Sequence, residues 1–491
     1  MSFLEIESLV FIPIVWVIHW LMPRRAGWQN TWLLLASCLF YAGWNWRFLP
    51  LLWTATLVDY AVARYLDAVP ADPGGRARRR LALGLSLASA FGSLVCFKYM
   101  GFFAESMQAL LAAAGLEASL PALRIVLPLG ISFYTLQRVG YILDVYYERL
   151  PACRSIVAFA LFVGYFPQIT AGPISRGSQL LPQLAAPRRL TAALFGSAIG
   201  TFLLGYLLKG SVADWLGGRI VDPVFADPDA YSAATHWVAL AAYALQVFAD
   251  FAGYSLLAIG ASRAFGIELP VNFNAPFLSR SMQEFWGRWH ITLNRWLFDY
   301  IYGPLITSHG WFRGRLDLGL LIVFLASGLW HGPAWGFVIW GLLHGLGLVA
   351  HRNWDEFYRG LCRRDRAWVA RRRSIPYALA AWAVTQAFFA ATMLPFRAQS
   401  FAGTMSYLAG MVRPTAGAGG LDLGPAILAI TWVGILLIAA GHAIQAPALH
   451  GVRERLERLP APLVGVAAGA AILWLAIVMP ASSGTFIYRA F

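Results

Sequence analysis

The sequence predicts an all-α polytopic membrane protein, and three observations predict it. Of 491 residues, 59% are hydrophobic and only 13% charged, which is too little polar surface to cover a soluble globule of this size. Apolar segments recur along the whole chain, near residues 8–22, 31–45, 47–66, 81–115, 124–148, 155–175, 190–210, 231–262, 316–332, 334–350, 376–394, 424–445 and 462–480. Roughly 20 apolar residues cross a bilayer when the helix stands upright. Short basic runs separate the segments: Arg24 with Arg25, residues 76–80, Arg188 with Arg189, residues 352–373 and residues 453–458. The net charge of +14 is nearly all arginine, with lysine only at Lys98 and Lys209. Basic residues spread in this way orient a chain in the membrane, with these runs in the cytoplasm, and argue against nucleic-acid binding.

Taken in order, the first segment follows Glu5 and Glu7, lacks the basic start and small-residue cleavage site of a signal peptide, and is expected to stay as the first span. Later segments are interrupted by glycine and proline at residues 127–130 (LPLG), 171–175 (AGPIS) and 331–336 (HGPAWG). Backbone freed by such breaks must be satisfied by protein or by a water-filled cavity, so the breaks point either to an internal cavity or to packing kinks. The stretches around 70–80 and 352–373 read as cytoplasmic loops, and the weakly charged, Gly- and Ala-rich 412–425 as a loop on the far side. No fixed-period repeat appears, so the economical division is a single transmembrane domain over 1–491. Four cysteines, at 38, 96, 153 and 362, show no metal or disulfide spacing.

Ionisable groups inside such a chain are costly, so each needs a reason. Asp59, Asp144 and Asp250 fall in apolar segments. Gln246, Asp250 and Tyr254 recur at four-residue spacing and share one helix face, as a structural hydrogen-bonded network or a direct part of a site. Ser281 and Glu284 have the form of a capping box, so a helix is expected to start there. Along it Trp286, Trp289, Leu293, Trp296, Leu297 and Tyr300 form a stripe, with Glu284–Arg288 and Arg295–Asp299 as charge pairs beside it, the pattern of a helix lying in the membrane interface. His290 and Asn294 share a third direction with Gly287, which leaves room for a ligand; the alternative for His290 is a bond to a headgroup or to backbone. His331 ends an apolar run just before Gly332 and Pro333. A histidine at such a break suits a general base, unless it is a satisfied core residue. His344 and His351 read as structural or interfacial. There is no GxSxG elbow, Walker loop or HExxH, and Ser308 with His309 sits in a polar loop.

The longer motifs LPLGISFYTLQ with YILDVY, YFPQITAGPISR, LQVFADFAGYSLLAIG, LPVNFNAPF, EFWGRWHITLNRWLFDYIYGPL, ASGLWHGPAWGFVIWGLLHG and the terminal FIYRAF resemble the membrane-bound O-acyltransferase (MBOAT) family, and more narrowly its bacterial alginate O-acetylation branch. The resemblance implies a bundle of tilted and broken helices around a central funnel or tunnel, with about 11–13 membrane helices plus interfacial ones, and a motif core over 127–350. It implies that His331 in LWHG is the essential histidine and His290 in RWH the second. Asn294, Asp250, Gln246, Trp330, Trp289 and Arg288 are expected to support the site or line the tunnel. It also implies a cytoplasmic thioester donor, acetyl-CoA, with no permanently bound cofactor and no metal. The acceptor would be an exported polysaccharide or a periplasmic partner acetyltransferase, working with export and synthesis proteins at the bacterial inner membrane. A D-alanyl transferase fed by a carrier protein, and a transporter or export scaffold, are the alternatives. The chain departs from the family pattern at Gly287, where a second arginine is usual, and in ITSHGWFRGRLDL, which replaces a Gly-Gly-Asn segment; Arg288, Arg295, Arg313 and Arg315 remain to attract the phosphates of coenzyme A.

Overall fold

The computed structural model of the chain describes residues 3, 5–116, 126–308, 310–413 and a few positions between 429 and 436. The apolar segment 462–480, nearly all of 424–445, the basic run 453–458, the loop after residue 413, the terminal FIYRAF and His309 lie outside the described residues. Among the described residues every regular element is a helix. Four helical stretches are long and apolar enough to cross a membrane: Pro73–Ala113, Ala192–Ala226, Ala233–Ala264 and Ile375–Ala398. Shorter apolar helices accompany them at Glu7–Leu21, Ile156–Ile169, Leu316–His331 and Phe401–Val412. Large apolar side chains such as Leu21, Leu81, Val384 and Val412 point outward, an arrangement that suits hydrocarbon and not water. Contacts cluster into two compact units.

The first unit holds α1 (Ile6–Leu21), α2 (Ala26–Asn45), α3 (Leu49–Ala68), α4 (Pro73–Leu94), α5 (Met100–Ala113), α6 (Ile131–Tyr146), α7 (Ile156–Gly164), α8 (Phe166–Ile169), α9 (Gly177–Ala185) and α10 (Ala192–Tyr206), with residues 254–270. A π-helical turn, Val95–Tyr99, joins α4 to α5. The LPLG break is real: Gly130 has φ +70°, and a Cβ there would lie 1.9 Å from the Ile169 carbonyl oxygen, so only glycine fits. AGPIS is likewise non-helical. Asp59 is a structural knot among three helices, accepting from Arg138 Nε at 2.5 Å and from Ser86 Oγ at 2.7 Å. The loop expected at 70–80 is confined to residues 70–72, because Asp72 Oδ1 caps Gly75 N at 2.7 Å and α4 starts at Pro73; arginine is a good helix former once a cap is in place.

The second unit holds residues 207–253 and 271–456. Its helices are α11 (Asp214–Leu216), α12 (Asp222–Ala226), the first part of α13 (Ala233–Ala264), α14 (Met282–Arg288), α15 (Ile291–Leu297), α16 (Gly303–Thr307), α17 (Leu316–His331), α18 (Trp335–Arg364), α19 (Arg366–Arg373), α20 (Ile375–Ala398) and α21 (Phe401–Val412). Helices α17 and α18 form a tight hairpin. A Cβ on Gly328 would lie 2.2 Å from the Phe337 carbonyl oxygen, and one on Gly341 2.3 Å from that of Phe324, so two small residues let the backbones touch. The stretch 352–373 is also helical, formed by the end of α18 and by α19, whose N-cap Asp365 accepts from Ala367 N. Helix α21 had no counterpart in the hydropathy reading; twelve residues are too few to register as a span.

Candidate active site

The helix expected from residue 282 breaks at His290. Ser281 Oγ accepts from Glu284 N at 3.1 Å, as a capping residue should, while Glu284 Oε2 reaches one residue further back, to Arg280 N at 2.8 Å. After Arg288 the chain turns out of the helix, and His290, at φ 43° and ψ 51°, stands in the left-handed region as N-cap of α15. That conformation is costly for a residue with a Cβ and persists only where neighbours hold it. Here the NFN of the LPVNFNAPF motif does so. Asn274 N donates to the Arg288 carbonyl and Ile291 N to the Asn272 carbonyl, both at 2.9 Å. Thr292 Oγ1 adds a bond to Asn272 Oδ1 at 2.6 Å.

The break corrects two expectations. Gly287 is exposed and faces open space, whereas His290 is fully buried, so the two share no face. The tryptophan stripe is buried within the protein and does not face lipid: Trp286, Trp289 and Trp296 are all 3–4% exposed. Trp289 stacks on Phe285 and meets Phe248, Phe273 and Phe389 edge-on or tilted, a packed aromatic cluster.

The His290 ring lies between Phe251 of α13, at 4.6 Å, and Trp330, at 5.6 Å, and its two nitrogens have no hydrogen-bond partner among the described residues. His331, the last residue of α17, is 2% exposed and lies 6.5 Å from His290, centre to centre. Trp330, Trp340 and Phe396 wall it at 5.1, 4.8 and 5.4 Å. The break at 331–336 is present as expected: Gly332 is extended, and a Cβ on it would strike the Phe337 ring at 2.2 Å. The folded chain thus brings together two imidazoles and two indoles, all of them buried.

The other named residues have contacts of their own. Asn294 Nδ2 donates to the Trp286 carbonyl at 2.6 Å, tying the end of α14 across the break. Arg288 is half-buried, paired with Glu284 at 2.9 Å and bonded to the Asn274 carbonyl. Asp250 belongs to a buried ion cluster in which Lys209 Nζ meets its carboxylate at 2.7 Å and that of Asp214 at 2.5 Å. Gln246 Nε2 lies against Gly217, close enough to leave no room for a Cβ there. Tyr254, further along α13, is hydrogen-bonded to Thr170.

His344 is held, as a structural residue should be. Trp286 Nε1 donates to its Nδ1 at 3.3 Å, which leaves the proton on Nε2 for the 2.9 Å bond to Thr392 Oγ1; that hydroxyl in turn donates to the Phe389 carbonyl at 2.8 Å. Helix α18 folds back on α17, and Trp340 touches both His331 and His344, at 4.8 and 4.5 Å. Trp340, Phe396, Lys209 and Asn272 were not singled out from the sequence. The Trp340 indole sits one helical turn before His344, the only local sign of its place.

The pattern of a membrane-bound O-acyltransferase family model, MBOAT, matches residues 147–391. The chain is 32% identical to the peptidoglycan O-acetyltransferase of Helicobacter pylori over 434 residues, covering 82% of this chain and 78% of that one. It is 38% identical to the probable alginate O-acetylase of Azotobacter vinelandii over 345 residues, 70% of this chain and 67% of that one. A teichoic acid D-alanyltransferase of Bacillus subtilis is 31% identical over 254 residues, 48% of this chain and 62% of that one. The two buried histidines both fall inside the matched segment, and the chain belongs to the membrane-bound O-acyltransferase family as an O-acyltransferase.

Proposed function

We propose that the protein moves an acetyl group from a cytoplasmic thioester, acetyl-CoA, to hydroxyl groups of an exported polysaccharide, directly or through a periplasmic partner acetyltransferase, in the bacterial inner membrane. The observation that carries this reading is the pair of buried imidazoles, 6.5 Å apart, inside an aromatic wall. The relatives named for O-acetylation support the choice of acyl group, since they align with 70–82% of the chain.

In this reading His331 is the general base. Its imidazole takes the proton of the acceptor hydroxyl as the oxygen attacks the thioester carbonyl. The tetrahedral intermediate collapses with cleavage of the carbon–sulfur bond, and the thiolate leaves and recovers that proton from the imidazolium, so the step is balanced. The His290 ring, with neither nitrogen bonded to a described residue, is free to donate to the carbonyl oxygen as charge builds on it. Desolvation by Trp330, Trp340 and Phe396 strengthens both interactions and keeps water from the thioester. Exposed Arg295, Arg313 and Arg315 are available to the phosphates of coenzyme A, more so than Arg288, which Glu284 already occupies.

D-alanyl transfer from a carrier protein is the second reading, favoured by the Bacillus subtilis relative, although that match covers only 48% of the chain. Purified protein with radiolabelled acetyl-CoA, or with D-alanyl carrier protein, separates the two. Release of free coenzyme A with label on a polysaccharide or partner is the expected result. Discharge of the carrier while acetyl-CoA stays intact would replace acetyl by D-alanyl.

A further inference from the structure

Three buried basic side chains elsewhere in the protein have carboxylate partners, and a fourth, Lys98, donates to Ser132 Oγ at 3.3 Å. Arg138 has Asp59 at 2.5 Å, Arg79 has Glu148 at 3.5 Å, and Lys209 has Asp214 and Asp250. Arg188, in the first unit, does not. It is 5% exposed and forms no salt bridge to a described carboxylate, and its Nε and Nη2 have no acceptor among the described residues.

The residue is nonetheless held firmly. Two amides in the first turns of α2 grip it: its backbone N donates to Gln29 Oε1 at 2.9 Å, Gln29 Nε2 donates to its carbonyl at 3.4 Å, and its Nη1 donates to Asn30 Oδ1 at 2.7 Å. Asn30 is itself fixed by a 2.7 Å bond to the Leu184 carbonyl. These contacts use one face of the guanidinium and leave the other two donors aimed elsewhere. Gly266 packs on the Arg188 stem at φ +75°, where an added Cβ would lie 3.1 Å from Arg188 Cβ and 3.5 Å from its Cγ.

Two further features meet the charge. His19 of α1 is fully buried, wedged edge-on between Trp20 and Phe265, and both its ring nitrogens lack a partner among the described residues; Phe265 and Trp20 both adjoin Gly266, which packs on the Arg188 stem. Helix α2 starts without a side-chain cap, so its first N–H groups and dipole also favour an anion. Exposed Arg24, Arg25 and Arg189 adjoin the same segments. An uncompensated buried guanidinium is unstable unless an anion supplies charge and acceptors, and a phosphate offers several oxygens to a forked donor. The loop 186–191 is irregular, and its residues on both sides of Arg188 are exposed.

We propose that Arg188, with His19 and the start of α2, binds the phosphate group of an anionic ligand that enters beneath the 186–191 loop. The site is separate from acyl transfer and does not depend on it. The test uses the full chain purified in detergent, with thermal stability and native mass spectrometry read against phosphatidylglycerol, phosphatidylcholine and inorganic phosphate. Saturable binding of phosphatidylglycerol but not phosphatidylcholine would make the ligand a lipid headgroup; an equal effect of inorganic phosphate would make it a soluble phosphate, and either supports the site. Arg188→Gln should weaken that binding about ten-fold or more, the effect of losing a charge-assisted pair, while the exposed Arg189→Gln leaves it nearly unchanged. Arg188→Lys, which keeps the charge but loses the second donor, must also weaken it and covers the case in which the glutamine variant does not fold. No saturable binding, or binding unaltered in the Arg188 variants, would overturn the proposal.

Discussion

The rings of His290 and His331 lie 6.5 Å apart, with the Trp330 ring against both. One imidazole sits at the start of α15 and the other at the end of α17. Each is therefore placed where a helix stops, and backbone breaks, not side-chain reach, set the spacing.

The left-handed backbone at His290 separates geometry from chemistry. His290→Asn and His290→Gly relieve part of the backbone cost at φ 43°, whereas His290→Ala keeps that cost, roughly 1–2 kcal/mol, and also loses the ring. All three should lower acyl transfer, and the alanine variant should melt at the lowest temperature. Equal melting of the three by scanning fluorimetry would mean that the turn is not held as described.

The ion cluster gives an asymmetric pair. Lys209→Met removes the cation that two buried carboxylates share and should cost about 3–5 kcal/mol. Asp250→Asn leaves Lys209 with Asp214, 2.5 Å away, and should be milder. Thermal melting and membrane yield of the two variants check the order; an equal or greater loss for Asp250→Asn contradicts it.

Much of this was legible in the sequence, for local reasons. Glycine and proline mark the breaks at 127–130, 171–175 and 331–336, and hydropathy marks the spans. The arginine runs misled, because charge reads as loop while Asp72 and Asp365 quietly cap helices through them. Lys209 with Asp250, and Asn272 beside Ile291, are tertiary pairings that no local pattern announces. The left-handed turn at His290 is equally silent, since histidine has only a modest preference for it, and it redirected the tryptophan stripe from lipid to the core.

His344 supplies a control. His344→Ala leaves the Trp286 indole buried without its acceptor, although Thr392 keeps its bond to the Phe389 carbonyl. The expected loss is about 1–3 kcal/mol in stability, while turnover per folded molecule stays within a few-fold of the parent. A selective collapse of turnover at unchanged stability would move His344 into the chemistry.

Close packing of α17 on α18 positions His331. Gly341→Ala would place a methyl 2.3 Å from the Phe324 carbonyl oxygen and must push the helices apart. Both melting temperature and turnover should fall, and an unaffected turnover would show that His331 does not depend on the hairpin.

The most direct measurement is acylation of the proposed polysaccharide acceptor in cells that carry only His331→Ala, beside His331→Gln, with membrane levels and melting of each purified variant. The account predicts a loss of roughly 10²–10⁴-fold, the usual contribution of a general base, in protein that folds and inserts normally. Acylation persisting at near-parental levels in either variant would contradict it.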